Sequence, residues 1–316
     1  MNGAPRTGTP SPFAMIFLDR HRDLRAGWKI ALFVLMIGAP GVALHRTLPG
    51  SVLGNPAAGA LLAVALLMLA SWVMTRFCNR KPLAAIGLWF HDRTLRELGL
   101  GMLLGFVMMS GIVLIELALG YIHVGWRGLT LSEAAGVVAV SALIFSLAAF
   151  VEELLFRGYA FQTLMQMITF APAVLVMSLF FGLGHVFNPH ATLLSTANVV
   201  LAGVWLSFAY LKTRGLWLPL GLHFAWNFAQ TTIYAFPTSG LTFDDRKLWT
   251  LEQTGPDWIT GGAFGPEGGV LATVALLLGI WYVLKSRHLV AQEGIITLDS
   301  LEDILPPAHH AEGAGR

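Results

Sequence analysis

The sequence has little charge and almost no cysteine. Only 12% of its 316 residues are charged and 55% are hydrophobic, whereas a soluble domain carries about 25% charged residues. This composition argues against a soluble globular enzyme, and the apolar content and lack of repeats exclude a disordered, collagen-like or coiled-coil protein. The net charge of +2 is too small to indicate binding of nucleic acid. The single cysteine, Cys78, excludes an internal disulfide and a cysteine-rich metal centre.

Long apolar runs fill most of residues 28–285. A membrane-crossing helix needs about 20 largely apolar residues, whereas the strands of a membrane barrel would alternate with a period of two. The unbroken runs therefore predict an all-α fold, a polytopic membrane bundle of about eight transmembrane helices. The predicted spans are Trp28–Leu44, Ala57–Phe77, Leu98–Ile122, Gly136–Ile168, Ala171–Phe187, Leu193–Leu211, Leu216–Phe236 and Gly269–Leu284.

The positive charges predict the orientation of these spans. Only Arg46, Arg127, Arg246 and Lys247 fall on one side of the predicted bundle, and the other Lys and Arg residues fall on the side of both termini. Because cytoplasmic loops carry the excess of Lys and Arg, we expect both termini in the cytoplasm and the chain in the cytoplasmic (inner) membrane.

Three segments lie outside the predicted helices. Residues 1–27 are expected to be disordered at first and then to lie along the membrane interface, and residues 286–316 are expected to form a cytoplasmic tail. The stretch Pro237–Gly268 is rich in Gly and Pro. We interpret it as an external connector, with a mobile cap as the alternative.

Ionisable and amide side chains within a membrane span are costly, so each is a functional candidate. The candidates are Glu152, Glu153 and Arg157 in the fourth span, His185 in the fifth, and His223 and Asn227 in the seventh.

The spacing of these residues predicts which of them interact. Glu153 and Arg157 are four residues apart with the acid first, the favourable order for a helical ion pair. Glu152 has Phe156 at the same spacing and is left available. His223 and Asn227 share a helix face in the same way, and Phe181 is expected to lie beside His185.

Each candidate alone also has a structural interpretation: the ion pair can join helices, a lone histidine can pack, and Asn227 can bridge helices by a hydrogen bond. Together, a carboxylate, two imidazoles and an amide are the groups needed to activate water and to hold an oxyanion.

Three motifs resemble one protein family. Residues 152–158 (EELLFRG), 181–185 (FGLGH) and 223–227 (HFAWN) resemble the EExxxR, FxxxH and HxxxN motifs of the CAAX-protease and bacteriocin-processing (CPBP, Abi-type) family, in the family's order. The resemblance covers about residues 130–230.

The resemblance implies an intramembrane endopeptidase that acts on a membrane-embedded or membrane-associated peptide or protein. Glu152 would be the base that activates water, assisted by His185, and His223 and Asn227 would hold the oxyanion. Glu153, Arg157 and Phe181 would support this geometry. Nothing in the residues indicates a prenyl-binding pocket.

The resemblance leaves the enzyme either glutamate-type or metal-dependent. One Glu and two His (Glu152, His185 and His223) match the ligand number of a catalytic zinc site, but the sequence has no HExxH pair. We favour activation of water by glutamate and histidine without a cofactor, with a divalent metal such as zinc as the alternative.

The three motifs can form one site only if their residues lie at the same depth in the membrane. This requirement sets a condition on the length of the fourth span. Counting 1.5 Å per residue, Glu152 reaches the level of His185 only if one unbroken helix runs from about Leu131 to Ile168. We therefore expect that helix, together with a cavity open to the cytoplasm through which water reaches Glu152.

Two other functions use similar residues. Buried Glu and His also serve secondary transporters and proton relays, although the halves of the chain show no convincing repeat. A non-catalytic scaffold or immunity protein on the same fold is the third hypothesis.

Overall fold

The computed structural model describes residues 16–19, 22–243, 246–292 and 298. The segment predicted to be disordered and most of the predicted tail lie outside these residues. Within them, the chain is mostly helical. The helices are α1 (Ala26–Thr47), α2 (Gly50–Leu53), α3 (Pro56–Val73), α4 (Thr94–Ala118), α5 (Leu131–Arg157), α6 (Tyr159–Ile168), α7 (Phe170–Leu183), α8 (Leu193–Thr213), α9 (Trp217–Phe228), α10 (Asp257–Thr260) and α11 (Val270–Lys285). The strands are β1 (Ile122–Trp126) and β2 (Trp249–Gln253).

Short irregular helices extend or join these elements. Two π-helical turns, Met74–Asn79 and Ala229–Ile233, continue α3 and α9. Among the described residues, 3₁₀ turns lie at Leu83–Ile86, Gly262–Phe264 and Pro266–Gly268.

Five helical segments within the described residues are long and apolar enough to cross a membrane. They are α1, α3 with its π-helical turn, α4, the segment Leu131–Ile168 and α8. The predicted spans Ala171–Phe187 and Gly269–Leu284 correspond to the shorter helices α7 and α11, of 14 and 16 residues, and Leu216–Phe236 corresponds to α9 and its π-helical turn. The helical fold is thus confirmed, whereas the count of about eight spans stays a prediction.

The prediction of one unbroken helix from Leu131 to Ile168 is wrong at Gly158. The ψ angle of Gly158 is −131°, and a Cβ atom there would lie 2.3 Å from the carbonyl oxygen of Leu154. The helix that follows, α6, is buried over residues 159–165, so it does not lie on the surface. The chain therefore changes direction at Gly158 and continues as a second packed helix, α6.

Small residues bring α4 and α9 into close contact. A Cβ atom at Gly101 would lie 2.3 Å from the carbonyl oxygen of Leu218, one at Gly105 would lie 2.5 Å from that of Leu222, and one at Gly221 would lie 2.2 Å from that of Leu98. Backbone therefore packs on backbone at these positions. At Gly111, on the same helix, no described atom beyond the helix's own backbone lies within 4 Å of the Cβ position.

The two strands join distant loops at one end of the bundle. β1 follows α4, and β2 lies in the stretch Pro237–Gly268. They pair antiparallel, with Ile122 opposite Gln253 and Trp126 opposite Trp249.

Candidate active site

A chain of charged groups links three helices at the centre of the site. Arg157 Nη1 donates to Glu153 Oε1 at 2.9 Å, which confirms the predicted i,i+4 pair. His223 Nδ1 lies 2.9 Å from the same oxygen. Arg157 Nη2 donates to the carbonyl oxygen of Gly203 on α8 at 3.0 Å. Because Glu153 is 0% and Arg157 1% exposed, each charge depends on the other for compensation.

These contacts assign the proton on one nitrogen of His223. A carboxylate that already accepts from Arg157 can only accept from His223, so Nδ1 carries a hydrogen. Nε2 of His223 then faces Glu152 Oε2 at 3.7 Å. Glu153 thus orients the imidazole toward Glu152, as the orienting carboxylate does in a catalytic triad.

Glu152 presents a carboxylate with no hydrogen-bond partner. Its Oε2 atom is buried and makes no hydrogen bond within the described part of the chain, although 30% of the side chain is exposed. A buried carboxylate oxygen without a donor is costly. This oxygen is therefore able to accept a hydrogen bond from a molecule in the cavity.

His185 lies in the turn after α7, where a backbone carbonyl group fixes its orientation. Its Nδ1 lies 2.8 Å from the carbonyl oxygen of Phe181, and a carbonyl oxygen can only accept, so Nδ1 carries the hydrogen. Nε2 is left with a lone pair on a residue that lines the cavity described below.

The Phe181 ring lies among the functional side chains. Its centroid is 4.7 Å from the guanidinium carbon of Arg157, 5.0 Å from the His185 ring and 6.1 Å from the His223 ring. The first contact has the geometry of a cation–π interaction. The prediction that Phe181 lies beside His185 is confirmed, and the ring also separates Arg157 from the cavity side of the site.

Five of the seven predicted site residues share one cavity of about 150 Å³. Glu152, His185, His223 and Asn227 all line it, with Phe181 among its apolar walls. Glu153 and Arg157 do not line the cavity: Glu153 contacts His223, and Arg157 contacts Glu153. The side chain of Asn227 makes no hydrogen bond to the described residues, so its amide is available to a ligand.

Sequence reasoning missed the part of the cavity that comes from the stretch Pro237–Gly268. Its residues Thr238, Ser239, Leu241, Phe243 and Glu267 line the same cavity. The interpretation of this stretch as a connector is therefore wrong.

The Glu267 carboxylate fixes this part of the wall. Oε2 accepts from the backbone N–H and the hydroxyl of Ser239, each at 2.7 Å, and Oε1 accepts from Trp226 Nε1 at 3.1 Å. Asn198 Nδ2 donates to the carbonyl oxygens of Glu267 and Gly269. In the sequence, Glu267 is marked only as an acid in a Gly- and Pro-rich stretch. No spacing between residues predicts its contact with α9.

The expectation that the cavity opens to the cytoplasm stays a prediction. The stretch Pro237–Gly268, which the predicted orientation places outside the cytoplasm, forms part of the cavity wall. The depth estimate assumed that the helices begin at the same level. In the structure, Glu152 lies 21 residues, or about 31 Å, from the start of α5. Glu152 and His185 line the same cavity although α5 ends at Arg157.

The metal alternative requires Glu152, His185 and His223 to form one ligand group. Among the residues that the structure describes, no three His, Cys, Asp or Glu side chains are grouped closely enough to hold a metal ion. The arrangement does not fit a three-ligand zinc site.

Comparison with known protein families finds a match. Residues 124–229 match the family model described as type II CAAX prenyl endopeptidase Rce1-like. Comparison with the curated proteins and with the solved structures finds no match. The matched segment contains all three motifs and the helices α5–α9 that carry them, which confirms the resemblance predicted from the sequence: residues 124–229 are similar to the type II CAAX prenyl endopeptidase Rce1-like family.

Proposed function

We propose that this protein is an intramembrane endopeptidase in which Glu152 activates water for attack on a peptide bond. The observation that carries the proposal is the unpartnered Glu152 carboxylate, which shares a cavity with His185, His223 and Asn227. The family match supports a protease, and the glutamate-type mechanism is our proposal.

The reaction follows from the hydrogen-bond directions in the site. Water donates one hydrogen to Glu152 Oε2 and the other to the Nε2 lone pair of His185. As Glu152 takes the first proton, the water oxygen bonds to the carbonyl carbon. His223, with Nε2 also protonated and flanked by Glu152 and Glu153, donates to the developing oxyanion together with Asn227. Glu152 then gives its proton to the leaving nitrogen and the C–N bond breaks. The remaining water proton passes through His185 Nε2 to the amine, so that a carboxylate and an ammonium group are released.

We also propose how the protein lies in the membrane. The shorter helices α7, α9 and α11 complete a bundle of eight crossings in the cytoplasmic membrane, and both termini are cytoplasmic. The distribution of Lys and Arg supports this orientation, as does the even number of crossings.

The experiment measures cleavage of internally quenched decapeptides, supplied as a mixed pool, by purified protein in detergent. Glu152→Gln keeps the shape of the side chain but removes the base, so we expect cleavage to fall at least about 10³-fold. Glu116→Gln is the matched control, because Glu116 is a fully buried acid on α4 that does not line the cavity. Full activity of Glu152→Gln, or no cleavage by the unaltered protein, would reject the proposal.

A further inference from the structure

The two-stranded sheet has an edge that the proposed mechanism does not use. Thr254 N–H donates to the carbonyl oxygen of Tyr121 at 2.8 Å, one step beyond the paired residues Ile122 and Gln253. Since hydrogen-bonded and non-hydrogen-bonded pairs alternate in an antiparallel ladder, this bond fixes the direction of every backbone group in β2.

Three residues of β2 direct their backbone groups away from β1. In this register, Trp249, Leu251 and Gln253 occupy non-hydrogen-bonded pairs, so their N–H and C=O groups point to the outer edge of the strand. Within the described ranges of the chain, no backbone hydrogen bond reaches these groups from another element. An edge of this kind is a template for another extended chain.

A groove lies against β2. It has a volume of about 390 Å³. Its lining residues are Arg127, Ala235, Pro237, Lys247, Trp249, Thr250, Leu251 and Gln253. Pro237 lines the groove, and the next two residues, Thr238 and Ser239, line the cavity that contains Glu152. The segment of residues 237–239 therefore lines the groove with its first residue and the cavity with its next two.

We propose that β2 binds an extended segment of the substrate as a third strand and thereby presents the neighbouring peptide bond to Glu152. This inference rests on the proposed function, because the bound segment belongs to the substrate. The five residues of β2 extend about 17 Å, which is enough for three outward-facing positions. Recognition through the backbone tolerates many side chains. It also selects an unwound segment, since a helix keeps its N–H and C=O groups paired internally.

The test measures peptide binding, which does not depend on cleavage. A fluorescent decapeptide of alternating valine and threonine between terminal lysines is titrated into the full-length protein that carries Glu152→Gln, and fluorescence anisotropy reports binding. Leu251→Pro in this background removes one outward N–H group without touching the bonds to β1. Leu251→Ala is the matched control, because it shortens the same side chain and keeps the N–H group.

We expect Leu251→Pro to weaken binding about three- to tenfold relative to Leu251→Ala, which is the effect of one lost hydrogen bond. Two further peptides are compared, one N-methylated at its odd-numbered residues and one at its even-numbered residues. One of them should bind much more weakly than the other, because only one set of N–H groups faces β2.

Several outcomes would overturn the inference. They are no binding of the decapeptide, equal binding by the two Leu251 variants, equal loss with both N-methylated peptides, and a change of oligomeric state with Leu251→Pro that assigns the edge to a second copy of the chain. If the peptide binds as expected but the unaltered protein cleaves no peptide, the proposed function fails and strand addition stands.

Discussion

Glu153 has two roles at the scale of single residues: it compensates Arg157 and it orients His223. Glu153→Gln should therefore lower the free energy of unfolding by about 3–5 kcal/mol, because Arg157 keeps its charge and loses its carboxylate. The same change should slow cleavage by about 10³-fold or more, since His223 loses its orienting partner.

Thermal unfolding in detergent and the rate of peptide cleavage measure the two effects. Glu152→Gln is the comparison, because Glu152 is partly exposed and forms no bond to Arg157, so it should lose activity with little loss of stability. Equal stability of both variants would contradict the assignment of Glu153 as the buried counter-charge.

Predictions at the residue scale depended on local periodicity. The Glu153–Arg157 pair is confirmed because residues four apart on a helix are neighbours whatever the rest of the fold does. The Phe181–His185 contact is confirmed although His185 lies in the turn after α7, where its Nδ1 bonds to the carbonyl oxygen of Phe181. Glu267 had no such signal. Its contacts with Ser239 and Trp226 depend on how a long stretch folds back over α9, which no local pattern encodes.

At the scale of elements, the contact between α4 and α9 positions His223. Gly105→Ala would place a Cβ atom 2.5 Å from the carbonyl oxygen of Leu222, the residue before His223. We expect the helices to separate, at a cost of about 1–3 kcal/mol in stability, and cleavage to fall with the displacement of His223.

Gly111→Ala is the control for this change on the same helix. Nothing lies within 4 Å of its Cβ position, so its stability should stay within about 0.5 kcal/mol of the original. Thermal unfolding and cleavage rates of both variants check the prediction, and a harmless Gly105→Ala would contradict close backbone packing as the support of His223.

The break at Gly158 shows why the extent of a helix was harder to predict than its existence. The apolar run continues from α5 into α6, so composition favours one helix. The ψ angle of Gly158 depends on packing that buries α6 and on a residue without Cβ, and glycine within a helical pattern is compatible with continuation or with a break.

At the scale of the whole molecule, the proposed orientation makes a prediction about the two ends of the bundle. A reporter that is active only outside the cytoplasm should be inactive when fused after Lys285 and active when fused after Arg127, because Lys and Arg concentrate on the side of the termini. The opposite pattern would place β1, β2 and the loop wall of the cavity on the cytoplasmic side and would reject the proposed orientation.

The membrane class of the chain could be predicted from its composition, because 55% hydrophobic residues and 12% charged residues leave few alternatives. The number of crossings could not, since α7 and α11 are short and length alone does not decide whether a helix spans the bilayer.

The central claim is that Glu152 and His185 act as one unit on a single water molecule. The most direct measurement compares cleavage rates of Glu152→Gln, His185→Ala and the variant that carries both changes. Groups that act as a unit give non-additive losses, so we predict that the double variant is about as slow as the slower single variant. A double variant whose loss equals the product of the two single losses would show independent roles and contradict the account.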